Sequence, residues 1–123
     1  MSVIIYTRTS TKDQTLGHEA QINKCLEWAN DRSLSVSGIY SDTTSGTKRG
    51  IERSGFQSAL NVLKAGDTLV TWKRDRLGRN SDDIGVSLYF IESKGASFIS
   101  IDDRAGNSAS DRLFNGMKSR IAE

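Results

Sequence analysis

Apolar runs and apolar stripes alternate along the 123-residue chain. The run 3–6 predicts a buried strand, alternate apolar positions over 34–40 predict a second, and the segments 67–73 and 96–103 predict two more. Between and after them, apolar residues recur at i, i+3, i+4 and i+7, the spacing of one helix face. The order strand, helix, repeated four times, predicts an α/β fold of three layers, with a largely parallel β-sheet and helices on both faces.

Each helix is expected to pack its apolar stripe on the sheet. The four stripes are Ile22, Cys25, Leu26 and Ala29; Phe56, Ala59, Leu60 and Leu63; Ile84, Leu88 and Ile91; and Leu113, Phe114, Met117 and Ile121. Ser54 and Gln57 have the spacing of a capping box at the start of the second helix. Asn80 or Ser81 is expected to cap the third.

Polar residues follow the strands of this predicted sheet. Arg8 and Ser10 come after the first strand, Asp42 after the second, the segment 74–79 after the third and the pair 102–103 after the fourth. The carboxyl ends of parallel strands lie at one edge of an open sheet, where such folds bind their ligands. We therefore expect the four polar groups to converge on one crevice.

The overall charge is mildly positive, with a net charge of +2 and a pI of about 8.8. The segment 73–79 holds four cations against one aspartate, and 48–53 holds three against one glutamate. No apolar stretch is long enough for a membrane span and no secretory leader is visible, so a cytoplasmic protein is expected. The single cysteine, Cys25, is expected to be a buried, inert thiol, and the single histidine, His18, a polar residue at a helix start.

Ser10 has no histidine near it in sequence to act as a base. An acyl-transfer serine needs such a base and an oxyanion hole, and the chain has no G-x-S-x-G elbow. A hydroxyl among arginines instead suits a phosphoryl centre, because each guanidinium presents a planar fork of donors to phosphate oxygens and keeps its charge. That charge stabilises both the attacking alkoxide and the pentavalent phosphorus.

Other phosphate-handling devices fit this sequence poorly. The segment "SGTKRG" lacks the P-loop spacing, which argues against a nucleoside triphosphatase. A response-regulator receiver has the same alternation of elements but needs an acidic cluster after its first strand, where this chain has Arg8. No His, Cys and Asp grouping has a metal-ligand spacing, and we expect neither a metal nor another cofactor.

Two long motifs resemble those of the serine recombinases, the family of resolvases and invertases. "YTRTSTKDQ" is similar to the family's Y-x-R-x-S-T-x-x-Q opening, and "GDTLVTWKRDRLGRN" is similar to its G-D-x-L-V-x-x-x-x-D-R-L-G-R segment. "YSDTTSG", the arginine and glycine of "ERSGF", and "FISIDD" occur in matching order. The resemblance implies a resolvase-like catalytic domain that cuts and rejoins duplex DNA through a 5′-phosphoserine link, without a metal or other cofactor.

Carried over residue by residue, the resemblance implies specific roles. The catalytic set is Ser10, Arg8, Arg76, Arg79, Asp75 and Arg53. Ser10 would be the nucleophile, and Asp75 would orient arginines or transfer a proton. The supporting or DNA-binding positions are Gln14, Gln21, Asp42, Lys73, Arg74, Lys48 and Arg49. Lys48 and Arg49 compete with Arg53 for its part, and Arg74 stands where the family commonly has leucine.

The chain stops at "RIAE", where family members continue through a long helix into a DNA-binding domain. We expect residues 1–123 to be a catalytic domain that ends within its last helix, with the DNA-binding domain absent. The full-length protein is expected to form a homodimer or tetramer on double-stranded DNA in a prokaryotic, phage or other mobile-element setting. Assembly of this chain should be weak, because its last helix is short and carries Gly116 in its interior.

Two other functions remain open from the residues alone. The domain would serve as a non-catalytic assembly or regulatory module if it formed no covalent link to DNA. It would be an unrelated nuclease of the same fold if it released cut ends without such a link. Resolution, inversion, integration and transposition share these motifs and differ in site arrangement and accessory parts.

Overall fold

The structure, a computed structural model, describes residues 2–10, 17–44 and 49–102. Its elements in chain order are β1 (Val3–Thr9), α1 (His18–Asp31), β2 (Val36–Thr43), a 3-10 helix (Gly50–Glu52), α2 (Ser54–Val62), β3 (Thr68–Thr71), a second 3-10 helix (Arg74–Leu77), α3 (Ser81–Ser93) and β4 (Ser97–Ser100). This order confirms the predicted alternation as far as the fourth strand. The predicted last helix, with Gly116 and its stripe, lies outside the described residues.

The four strands form one sheet in the order β2-β1-β3-β4, and every pairing is parallel. β1 is longer than its apolar run, because residues 7–9 continue to pair with β2. The last two pairs in that ladder are Arg8 with Asp42 and Thr9 with Thr43. The polar residues after the apolar run therefore belong to the strand itself, and Ser10 is the first residue beyond it.

Alternation along the strands gives the sheet two faces with different partners. Val3 and Ile5 pack against α1, whereas Ile4 and Tyr6 pack on the side of α2 and α3. The first face is the α1 face, with buried core residues Val3, Ile5, Cys25, Trp28, Ala29, Val70 and Ile99. The second is the α2/α3 face, where the core includes Ile4, Tyr6, Phe56, Ala59, Leu69, Leu77, Ile84, Ile91 and Phe98. The predicted three-layer fold is confirmed.

The buried side of α1 differs from the predicted stripe in two residues, because Ile22 is only half-buried and Leu26 is exposed. Leu26 was expected in the stripe but is 37% exposed, and Trp28 packs against the sheet in its place. Gln21, Cys25 and Trp28 follow i, i+4 and i+7, so they share a face that Leu26, about 100° round the helix from Cys25, does not reach. Burial raises the pKa of Cys25 to about 12, as expected for an inert thiol.

The start of α2 also differs from the prediction. Ser54 is the first helical residue, and no side chain of the preceding residue caps the helix. Asp42 from β2 accepts hydrogen bonds from the N–H groups of Gly55 and Phe56 at 2.8 and 2.9 Å instead. The predicted Ser54–Gln57 capping box is therefore wrong, because a carboxylate from a neighbouring strand takes its place.

The cap of α3 is one of the two residues proposed for it. Asn80 precedes the helix, and its side-chain oxygen accepts a hydrogen bond from the Asp83 N–H at 2.9 Å. Among the helices of the described ranges, none has both the length and the apolar character needed to cross a membrane.

Candidate active site

The strand order defines where a ligand would bind. β1 and β3 are neighbours, but α1 leads from β1 outward to β2, whereas α3 leads from β3 outward to β4. The chain thus turns in opposite directions from the carboxyl ends of two adjacent strands, and the crevice between such ends is the usual ligand site of this architecture. Ser10 follows β1, and the 3-10 helix Arg74–Leu77 follows β3 by two residues, so they border the crevice from both sides.

Arg8 is a buried cation at the second-last position of β1. Its residue is 9% exposed, and its Nη1 donates to the carbonyl oxygen of Thr44 at 3.1 Å. Within the described ranges its Nε has no hydrogen-bond partner. Burial, followed by the nearby charges of Arg53 and Arg76, lowers the pKa of Arg8. A negatively charged ligand would compensate for the burial of the Arg8 charge and for its repulsion by Arg53 and Arg76.

The side chain of Gln21, on α1, hydrogen-bonds to the backbone of Arg8. The Gln21 amide donates from Nε2 to the Arg8 carbonyl at 3.0 Å and accepts from the Arg8 N–H at 3.3 Å. Gln21 itself is fully buried in α1. Gln21 therefore supports Arg8 and links α1 to β1, the strand that Ser10 follows.

Arg53 and Arg76 approach the same site from two further segments. Arg53 precedes α2, is 1% exposed, and donates from Nη1 to the carbonyl oxygen of Arg76 at 2.6 Å. Arg76 is 6% exposed, and its guanidinium carbon lies 5.0 Å from the ring centroid of Trp72. Carbonyl and aromatic contacts of this kind hold a guanidinium in place without themselves neutralising its positive charge.

The remaining charged residues after β3 are more exposed. The Asp75 side chain is 69% exposed, with Oδ1 lying 3.7 Å from the Arg76 Nε. Lys73 is half-buried with its Nζ 4.6 Å from the Trp72 centroid, whereas Arg74 and Arg79 are exposed. The segment thus presents one buried guanidinium to the crevice and several solvent-accessible charges around it.

Asp42 is buried and serves the scaffold. Besides capping α2, its Oδ2 accepts a hydrogen bond from the Tyr6 hydroxyl at 2.7 Å. Burial and then the hydrogen bond to Asp42 raise the pKa of Tyr6 well above its usual range, so the phenol stays neutral. Arg53 also interacts with Tyr6. Asp42, which was predicted as a supporting residue, therefore lies close to the arginine group. Its oxygens, however, accept hydrogen bonds from the Tyr6 hydroxyl and from N–H groups of α2.

Asp83 joins two basic segments, and no motif in the sequence indicates it. Its buried carboxylate accepts from the N–H groups of Gly50 and Arg79, both at 2.9 Å, and from the Arg49 Nε at 3.4 Å. Burial by itself would raise the pKa of Asp83, but the two backbone donors and Arg49 outweigh it and lower the pKa. Arg49 is thereby directed to Asp83, whereas Arg53 is directed to Arg76.

The structure places most of the predicted site residues at one edge of the sheet. Arg8, Arg53 and Arg76 form a buried group there, with Ser10, Asp75, Lys73, Arg74 and Arg79 on the segments that border the crevice. Gln14 and Lys48 lie outside the described residues. Tyr6, Thr44, Trp72 and Asp83 were missed because no local motif indicates them, and Tyr6, Thr44 and Asp83 each contact a residue distant in sequence.

This arrangement favours phosphate chemistry. Buried guanidinium groups attract an anion, and Ser10 supplies a hydroxyl at the crevice that they border. Within residues 2–10, 17–44 and 49–102, no group of three or more His, Cys, Asp or Glu side chains has the geometry to hold a metal ion.

Comparison with known proteins gives consistent relatives. Residues 3–123 match the family described as "Resolvase, N terminal domain". The DNA-invertase hin of Salmonella typhimurium is 36% identical over 124 residues, covering 100% of this chain and 60% of that protein. The serine recombinase gin of Escherichia phage Mu is 32% identical over 122 residues, covering 98% of this chain and 58% of that protein. The chain thus spans about three fifths of the length of these relatives.

Solved structures of similar fold are found as well. The N-terminal catalytic domain of TP901-1 integrase has a TM-score of 0.72 at 24% identity, covering 99% of this chain and 95% of that one. The C-terminal catalytic domain of ISC1926 TnpA, an IS607-like serine recombinase, also has a TM-score of 0.72, at 22% identity, covering 98% of this chain and 81% of that one. These likenesses establish the fold.

Proposed function

Since this chain belongs to the resolvase N-terminal domain family, we propose that it is the catalytic domain of a serine site-specific DNA recombinase. The single observation that supports this most is the group of Arg8, Arg53 and Arg76, buried beside the crevice that Ser10 borders. Such a group has a clear use where a phosphodiester must be held and its developing charge stabilised.

The proposed reaction is a transesterification. The Ser10 oxygen attacks the phosphorus of a DNA phosphodiester, the bond to the 3′ oxygen breaks, and a phosphoserine bond to the 5′ end forms. The serine proton goes to a base, for which Asp75 is the candidate at the site, and the departing 3′ oxygen gains a proton. One phosphoester replaces another, so a 3′-hydroxyl can reverse the step and rejoin DNA without an external energy source.

The arginines have separable parts in this proposal. Arg8, Arg76 and Arg79 bind the non-bridging phosphate oxygens, and Arg53 reinforces the local positive charge from behind Arg76. Two properties of Arg8 support this assignment: its Nε has no hydrogen-bond partner among the described residues, and its pKa is lowered, so a bound phosphate would supply both an acceptor and a counter-charge. Lys73, Arg74, Arg49 and Lys48 extend the positive surface toward flanking DNA, where contacts are non-specific and weaken with salt.

The partners follow from the same proposal. The substrate is double-stranded DNA, and two or more copies of the full-length protein assemble on it so that several strands are cut and exchanged. A nuclease, the hydrolytic alternative, would contact DNA at the same place and release free cut ends. An assembly module, the non-catalytic alternative, would bind DNA and leave it intact.

The test uses short duplexes of randomised sequence in which sulfur replaces the bridging 3′ oxygen. Attack by Ser10 releases a 3′-thiolate, which rejoins poorly, so a protein–DNA adduct should accumulate at low salt and high protein concentration. We expect the phosphate to map to Ser10 by mass spectrometry. Ser10→Ala should form no adduct while unfolding at the same denaturant concentration as the wild type.

Ser58→Ala is the matched control, because Ser58 is an exposed residue of α2 and alanine is a good helix former. It should form adduct at the wild-type rate. Adducts from Ser10→Ala would move the nucleophile to another residue. Free cut ends without any adduct would indicate a nuclease, and intact DNA bound by the wild-type protein would indicate the assembly module.

A further inference from the structure

His18 connects the ends of two strands at the candidate active site. Its Nδ1 lies 2.7 Å from the Thr7 hydroxyl, and its Nε2 lies 2.9 Å from the Thr43 hydroxyl and 3.2 Å from the Thr9 hydroxyl. The Thr7 hydroxyl also contacts that of Ser41, at 2.6 Å. The imidazole thus contacts β1 and β2 at their carboxyl ends, which a polar residue that only began a helix would not do.

These contacts come from the face of the sheet opposite the arginines. Thr7 and Thr9 alternate with Arg8, so they continue the row of Val3 and Ile5 on the α1 face. His18, the first residue of α1, therefore reaches the strand end from behind. It lies outside the phosphate-binding group and contacts the residues on each side of Arg8.

The contacts lead directly to the reactive residues. Thr9 precedes Ser10, and its carbonyl oxygen accepts a hydrogen bond from the Thr44 N–H at 2.9 Å. The carbonyl oxygen of Thr44 in turn accepts from the Arg8 Nη1 at 3.1 Å. The pair Thr9 and Thr43 is the last of the β1–β2 ladder, where strand ends otherwise fray. His18 bonds to both members of that pair.

We propose that His18 is a positioning residue, which fastens the carboxyl ends of β1 and β2 together and so holds Ser10 and Arg8 in place for attack on phosphate. This inference rests on the proposed function of Ser10. His18 acts through Thr9, Thr43 and Thr44 and does not touch the DNA.

The neutral imidazole suits this task. A neutral ring has one donor and one acceptor nitrogen, and threonine hydroxyls can complement either role; protonation makes both nitrogens donors and removes the acceptor. Burial lowers the pKa of His18, while the negative charge of Asp42 on β2 acts in the opposite direction. Other charges nearby are Glu19 on the same helix and Arg8, which points to the other face; Thr7 and Thr9 of β1 are uncharged. The start of a helix also disfavours a cation.

Three substitutions test the proposal with the phosphorothiolate duplexes. His18→Leu removes both sets of hydrogen bonds, His18→Asn retains an amide near the position of Nδ1, and His18→Gln retains one near the position of Nε2. At saturating DNA we expect His18→Leu to form adduct about tenfold more slowly, the factor that corresponds to the loss of roughly one hydrogen bond. His18→Gln should recover most of the rate and His18→Asn little, because Thr9 and Thr43 are bonded to Nε2.

Binding separates positioning from phosphate contact. The affinity of His18→Leu for the duplexes should stay within about twofold of the wild type, because no DNA contact is lost. Glu19→Gln, a neighbour on the exposed side of α1, is the matched control and should leave both rate and affinity unchanged. A wild-type rate in His18→Leu would overturn the proposal, as would a rate loss matched by an equal loss of affinity.

The pH profile gives a second readout that folding alone would not alter. The ratio of wild-type to His18→Gln rates should be constant above about pH 7 and should fall toward about pH 5, as the wild-type imidazole gains a proton. A ratio independent of pH would overturn the role of the neutral ring. An absence of Ser10 adducts in the wild type would instead contradict the proposed function, so the two failures are distinguishable.

Discussion

The two faces of the sheet use the same backbone alternation for different purposes. On the α1 face, β1 contributes Val3 and Ile5 to an apolar core that ends in the hydroxyls around His18. On the α2/α3 face the same strand contributes Tyr6 and Arg8, which lie buried among charges. Both faces gain stability from buried apolar area, but at the end of β1 the α2/α3 face also contains a charged group whose arginines repel one another.

The difference shows how this fold tolerates buried charge. Arg8 and Arg53 donate to main-chain carbonyls, and Asp42 accepts from Tyr6 and from two N–H groups of α2. These three buried ions are thus hydrogen-bonded to groups that the fold fixes in place, which limits the cost of their desolvation. Positive charge is left over, and this is the property that a phosphate site requires.

The largest expected effect is on chemistry at the α2/α3 face. Arg76→Lys keeps a positive charge but loses the planar fork and the guanidinium contact with the Trp72 ring. We expect adduct formation with the phosphorothiolate duplexes to slow by about 100-fold, the loss typical of removing one donor to a transition-state oxygen. Lys64→Ala, an exposed cation after α2 at the opposite edge of the sheet, is the control and should change the rate little. Equal losses would indicate a diffuse basic patch.

The edge of the sheet at which the candidate site lies was predictable, because the alternation of strands and helices needs only local patterns, and parallel strands end at a shared edge. The contacts that hold the site residues in place were not predictable from the sequence. Asp42 caps α2 from thirteen residues away, and His18 meets Thr43 from twenty-five away. Local spacing alone therefore indicates a serine–glutamine capping box for α2 and a simple helix start at His18, and it gives no sign of Asp42 or of the threonine hydroxyls.

The next effect is on stability at the same face. Asp42→Ala removes the acceptor of Tyr6, Gly55 and Phe56 and leaves buried donors without a partner. A buried donor left unsatisfied costs about 1–3 kcal/mol, so we expect the free energy of unfolding in urea to fall by about 3 kcal/mol or more. Asp31→Ala, at the exposed end of α1, should cost less than about 0.5 kcal/mol. A similar loss in both variants would contradict the assigned role of Asp42.

A smaller effect, with a pH signature, is expected at Asp83. Its folded-state pKa is lowered, so its stabilising contribution is present above the ordinary carboxyl pKa and is lost as the pH falls through the folded value. Asp83→Asn should lower stability by about 1.5–3 kcal/mol at pH 7, since the hydrogen bonds lose a charged acceptor. The gap between wild type and variant should narrow below about pH 4.

The exposed neighbour Asp82 supplies the control for this pH dependence. Asp82→Asn changes the same charge in the same turn of α3 without the contacts to Gly50 and Arg79. Its stability should stay close to that of the wild type from neutral to acid pH. If the stability difference between the wild type and Asp83→Asn stayed constant down to pH 3, the shape of the Asp83 side chain, and not its negative charge, would be what stabilises the fold.

The smallest effects compare one threonine on each face of β3. Thr68 aligns with Val70 on the α1 face, is fully buried, and has no hydrogen-bond partner for its Oγ1 within the described residues. Thr71, equally buried and on the α2/α3 side of the strand, donates from its Oγ1 to the Lys73 carbonyl at 3.0 Å. Valine keeps the branched shape that suits a strand while replacing the hydroxyl by a methyl group.

Thr68→Val should therefore leave stability unchanged or raise it by up to about 1 kcal/mol, because a desolvated hydroxyl without a partner is removed. Thr71→Val should lower it by about 1 kcal/mol, because a hydrogen bond is lost and the Lys73 carbonyl loses a donor. Urea unfolding with unchanged m-values would measure both. If both variants lost the same free energy of unfolding, a buried hydroxyl would contribute equally on the two faces. Hydrogen bonding of the hydroxyl would then not explain the difference between the faces.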